Sequence, residues 1–179
     1  PETLKKFIAL GCSVAVERGA GVSSGFLDET YASAGADLVA PGEAQAWGQA
    51  DVLLCVQSPS PASLGRLRRG ALVVGMLSPY GNSELSEALK GCGLSAMALE
   101  LLPRISRAQS AYVLSSQANI AGYKAVLLGA AALDRYFPML MTAAGTVQPA
   151  RVVVLGAGVA GLQAIATAKR LGAVVEASD

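Results

Sequence analysis

Along the first hundred residues, short apolar runs rich in Val, Leu and Ala alternate with stretches of helical periodicity. Such alternation predicts βαβ units around a parallel sheet. Strands are expected at 12–17, 36–40, 51–56, 71–77 and 94–100. The intervening helices have readable ends: 1–10 stopped by Gly11, 28–35 with Asp28 as N-cap, and 82–90 with Asn82 as N-cap and Gly91 as stop. Weaker helical pattern covers 43–48 and 61–67. Several strand runs are apolar throughout, as expected of a sheet covered by helices on both faces.

From residue 115 the pattern becomes one long helix, 115–136, with Ser115 or Ser116 as N-cap and Pro138 beyond its end. Ile120, Ala121, Val126, Leu127, Leu128, Ala131 and Leu133 lie nearly all round it, which predicts burial on all sides. Residues 139–150 carry little periodicity and read as a connection. Then 151–155 reads as a strand, Gly156-Ala157-Gly158-Val159-Ala160-Gly161 follows, 162–171 reads as a helix stopped by Gly172, and 173–178 reads as a second strand closing on Asp179.

Composition narrows the possible chemistry. The 179 residues are 53% hydrophobic and 15% charged, with 14 Lys plus Arg against 13 Asp plus Glu, a net charge of +1. A disordered tail is excluded, and no electrostatic ground exists for a nucleic-acid partner. There is no histidine, which removes the usual triad base and the commonest zinc ligand. Cys12, Cys55 and Cys92 form no CxxC pair, so neither a zinc site nor a disulfide framework is suggested and a reducing compartment is the simplest expectation. The apolar run 125–133 is far shorter than the ~20 residues of a membrane helix, and no signal-peptide pattern opens the chain. The cluster Arg66, Arg68, Arg69 beside Gly65 and Gly70 reads as a solvated turn.

The glycine motif lies between a strand and a helix, and Asp179 follows Gly161 by 18 positions, near the ~20 expected of a dinucleotide-binding βαβ unit. Gly156 would permit the tight turn, Gly158 would let a pyrophosphate approach the backbone, and Gly161 would allow close helix–strand packing. The helix N-terminus would face the phosphates. Asp179 would accept hydrogen bonds from the adenosine ribose and repel a 2′-phosphate, favouring NAD(H) over NADP(H).

Segments 99–123, LELLPRISRAQSAYVLSSQANIAGY, and 141–173, MTAAGTVQPARVVVLGAGVAGLQAIATAKRLGA, closely resemble the NAD(H)-binding alpha-subunit domain of proton-translocating nicotinamide nucleotide transhydrogenases. Segments 21–36, GVSSGFLDETYASAGA, and 50–54, ADVLL, resemble the amino-terminal domain that transhydrogenases share with alanine dehydrogenases. The resemblance implies an α/β fold with three parts. A parallel-sheet, flavodoxin-like domain would occupy 1–114 without the family's first strand, a linking helix and connection 115–150, and the truncated start of a Rossmann domain 151–179. A chain of this extent is not expected to turn over alone.

The resemblance also implies roles. Arg104 matches an arginine over the nicotinamide, Gln109 a glutamine that positions it for hydride transfer, and Ser115 a serine beside the carboxamide. Arg104 and Gln109 would be the catalytic pair. The cofactor-binding set becomes Arg104, Gln109, Ser115, Gly156, Ala157, Gly158, Val159, Ala160, Gly161 and Asp179. The implied cofactors are NAD(H) here and NADP(H) on a partner domain. Implied partners are the NADP(H)-binding and membrane domains of the same enzyme and a second copy of the chain, on the cytoplasmic or matrix side of a membrane. Alanine dehydrogenases use a lysine and a histidine, so the missing histidine disfavours that activity; a degenerate, non-catalytic interaction module is the other alternative. Two positions depart from the family pattern. Tyr112 stands where a carboxylate is usual, and Cys55 where a lysine is usual. A phenol there predicts a loop placed differently around Arg104, and Tyr112→Asp is expected to raise turnover.

Overall fold

The computed structural model describes all 179 residues, which form two units, Pro1–Leu99 and Glu100–Asp179. In the first unit α1 (Glu2–Ala9) ends at Leu10, and Gly11 turns the chain at φ 83°. β1 (Ala15–Glu17) pairs in parallel with β2 (Asp37–Val39), α2 (Asp28–Ser33) linking them. After α3 (Ala44–Gln49) comes a second parallel sheet of β3 (Val52–Gln57), β4 (Leu72–Met76) and β5 (Ser95–Ala98), in that spatial order. α4 (Pro61–Leu64) and α5 (Ser83–Gly91) are its crossovers. Leu64, Leu67, Ala71, Val73, Leu77 and Leu85 form the core, with Trp47, Leu53 and Cys55 packed against it. The α/β class with parallel sheets is as the sequence predicts.

Several local expectations change. β1 begins at Ala15 rather than residue 12, because the Cys12 N–H donates back to the Phe7 carbonyl at 3.1 Å and is spent closing α1. Asp28 does not cap α2. Leu27 holds that position, and the Asp28 carboxylate instead accepts the Gly19 N–H at 2.8 Å, tying down the loop after β1. Asn82 does cap α5, accepting from the Leu85 N–H at 3.2 Å. Gly91 lies inside α5, and Gly93, at φ 64°, makes the left-handed turn instead. β3 exposes Val52, Leu54 and Val56 on one face and half-buries Leu53 and Cys55 on the other. The expected cover on both faces is therefore not met at this edge strand, which has a neighbour on one side only within its sheet.

The arginine cluster is engaged within its own unit. Arg66 donates to the Gly42 carbonyl at 2.8 Å and Arg68 pairs with Asp51, so two of these guanidiniums tie the turn to other segments rather than being merely solvated as expected. Glu17 accepts from the Gly42 N–H at 2.6 Å and from the Trp47 indole at 2.9 Å, fastening the end of β1 to α3.

The second unit opens with α6 (Val113–Ala132), which packs on α7 (Val159–Arg170). A Cβ on Gly122 would fall on the Ala160 carbonyl oxygen, so the two helices meet where neither has bulk. α6 starts two residues before Ser115, leaving Ser115 and Ser116 in its first turn rather than at its cap, and it ends at Ala132, short of residue 136. Burial all round is not met either. Gly122 and Val126 are buried, but Ile120 and Leu128 are both 58% exposed, because within this unit α7 covers one side. The expected connection contains an antiparallel hairpin, β6 (Leu140–Thr142) and β7 (Gly145–Val147), whose three-residue strands are too short to show periodicity. β8 (Arg151–Leu155) and β9 (Val174–Ser178) pair in parallel, and Val126, Phe137, Ala150 and Ala168 are buried among Val152, Leu171 and Val175.

Candidate dinucleotide site

β8 delivers the chain into a turn that only glycine accommodates at two of its three glycine positions. Gly156 has φ 95°, and a Cβ on Gly161 would overlap the Gly156 carbonyl oxygen. Gly158 differs: nothing lies within 4 Å of where its Cβ would stand, so no protein packing requires it. α7 begins at Val159, three residues earlier than the sequence predicts, so Val159, Ala160 and Gly161 form its first turn. The N–H groups of a helix's first turn lack partners within the helix and favour negative charge. Asp179, beyond the end of β9, reaches back to accept the Ala157 N–H at 3.0 Å, which places a carboxylate against the same turn.

Beside this turn, Ser115, Ser116, Asn119 and Ile120 of α6 and Val159 of α7 line an open cleft of about 450 Å³. Asn119 donates to Gln163 at 3.2 Å across the helix pair. Sequence reasoning does not place Ser116, Asn119 or Gln163 at the site. A signal exists for two of them: Ser115, Ser116 and Asn119 fall three and four residues apart on a helix and so share a face.

Arg104 and Gln109 lie elsewhere in this unit, on an exposed loop, and neither lines that cleft. Gln109 belongs to a 3-10 turn, Ser106–Ala111. Arg104 is the central residue of a tight turn in which the Ile105 N–H donates to the Pro103 carbonyl at 2.8 Å. The Tyr112 phenol donates to that same carbonyl at 2.6 Å. In the other unit, the Cys55 thiol lies 3.6 Å from the Val74 carbonyl, and burial pushes its pKa up, which suits packing rather than nucleophilic chemistry.

Together, parallel sheets, a strand–glycine turn–helix and an acidic residue after the next strand define a Rossmann-like α/β protein. Residues 1–121 match the alanine dehydrogenase/PNT N-terminal domain family and residues 125–179 the corresponding C-terminal domain family, and the chain belongs to the alanine dehydrogenase/PNT family. It is 53% identical to an NAD(P) transhydrogenase alpha-subunit polypeptide of Rhodospirillum rubrum, over all of this chain and 48% of that protein. It superposes on the transhydrogenase of Sinorhizobium meliloti with TM-score 0.94 and 53% identity, over 99% of this chain and 53% of the other. An L-alanine dehydrogenase structure gives TM-score 0.85 and 32% identity, over the whole of this chain and 49% of that one. The chain thus spans about half the length of these relatives. No helix is long and apolar enough to cross a membrane.

Proposed function

We propose that this chain is the NAD(H)-binding part of a proton-translocating transhydrogenase, passing hydride between NADH and NADP held on another domain. The observation that carries the reading is the β8–glycine turn–α7 unit with the Asp179 carboxylate folded against it. With nothing within 4 Å of where a Cβ would stand, the Gly158 backbone is open to the approach of a pyrophosphate, and the first turn of α7 would supply N–H groups and positive dipole to hold one. Asp179 Oδ1 is engaged by Ala157, leaving Oδ2 for an adenosine ribose hydroxyl and repelling a 2′-phosphate. Arg104, Gln109 and Ser115 would orient the nicotinamide. A bound nicotinamide supplies the hydride, so these residues need to orient rather than to donate or accept a proton, and a chain without histidine suffices.

The higher identity to transhydrogenases than to alanine dehydrogenase supports this reading over an alanine-oxidising one. The partners would be the NADP(H)-binding and membrane domains of the same enzyme and a second copy of this chain, and the location peripheral, on the cytoplasmic or matrix side. Titrating nucleotide fluorescence with NADH and NADPH tests the cofactor assignment: tighter NADH binding is expected, and equal or tighter NADPH binding overturns it. Alanine-dependent reduction of NAD by the full-length protein would favour the dehydrogenase reading instead.

A further inference from the structure

Tyr112 makes a contact that its position alone would not suggest. It is the residue before α6, and its side chain does not cap that helix. The phenol instead folds back nine residues, donating to the Pro103 carbonyl at 2.6 Å with the Ile105 carbonyl at 3.4 Å. Those two carbonyls flank Arg104. The Pro103 oxygen also accepts the Ile105 N–H at 2.8 Å, so both its lone pairs are used. Because a peptide group is planar, fixing the Pro103 oxygen fixes the plane that contains the Arg104 nitrogen. Within the same closed segment, the Tyr112 N–H donates to the Gln109 carbonyl at 3.3 Å.

We propose that Tyr112 is a positioning residue, a clasp that holds the 103–112 loop closed so that Arg104 and Gln109 leave it in fixed directions toward the nicotinamide. The proposal rests on the functional reading above. It reverses the expectation that Tyr112→Asp would raise turnover. That expectation requires a phenol to leave the loop unheld, whereas the phenol holds it, and an ionised carboxylate accepts only and cannot donate to the Pro103 carbonyl.

The test compares wild type, Tyr112→Phe, Tyr112→Asp and Arg104→Ala in the full-length protein, by backbone hydrogen exchange without nucleotide and by NADH titration with steady-state kinetics. Tyr112→Phe keeps the ring and loses the donor. It is expected to speed exchange across 103–112 about threefold, leave 151–179 unchanged, and lower kcat/KM severalfold, with Tyr112→Asp at least as impaired and Arg104→Ala more so. Unchanged exchange in Tyr112→Phe overturns the clasp. Faster exchange with unaltered NADH binding and kinetics overturns the positioning role, as does a Tyr112→Asp variant that outperforms wild type. If wild type itself fails to bind NADH, the functional reading falls and the positioning role falls with it, an outcome distinguished by the wild-type titration alone.

Discussion

The glycine turn after β8 and the loop before α6 both carry residues that we propose meet one nucleotide, yet they are held in different ways. At the turn, Gly161 lies against the Gly156 carbonyl and Gly122 against Ala160, so backbone meets backbone and no side chain can intervene. At the loop, a phenolic hydroxyl joins a few local backbone hydrogen bonds in gathering exposed backbone. Close packing gives a rigid cradle that fails abruptly when bulk is added. A single exposed hydrogen bond gives local order at small cost, and its loss should be felt locally.

The largest expected effect is therefore at Gly161. Gly161→Ala puts a methyl onto the Gly156 carbonyl and should destabilise the fold by about 1–3 kcal/mol in urea titrations; an unchanged midpoint would remove the packing half of the comparison. Gly158→Ala should separate ligand from packing. With nothing within 4 Å, stability should hold, while NADH affinity falls about tenfold, or about 1.4 kcal/mol. Loss of stability with unaltered affinity would contradict the assignment of Gly158 to the ligand.

Asp179→Asn should retain an acceptor for the Ala157 N–H and remove the negative charge, narrowing the NADH over NADPH preference about fivefold in competitive titrations. A preference that stays as it was would free Asp179 of any part in cofactor choice. Last, Tyr112→Phe should lower global stability by about 0.5 kcal/mol, the low end for a hydrogen bond. A loss comparable to that of Gly161→Ala would mean that the two segments are not differently held after all.

Much of the fold is legible locally. The Asn82 cap, the strand–glycine turn–helix at 151–170 and the parallel pairing of β8 with β9 all follow from short-range patterns, because caps, tight turns and apolar runs express constraints between residues near in sequence. The hairpin at 140–147 escapes such a reading because three-residue strands carry no measurable period. Asp28 is read wrongly as a cap because a carboxylate at a helix start has two uses, and the Gly19 N–H, nine residues away, takes it.

Residue types at fixed spacing are enough to specify the α/β class and the glycine motif, and the resemblance of longer segments points to the family. Folding in three dimensions settles where the arginine cluster spends its charge and which backbone carbonyl the Tyr112 hydroxyl meets. One cause underlies both. Each depends on which atoms the folded backbone brings within hydrogen-bond or van der Waals distance, and residue spacing does not encode that distance.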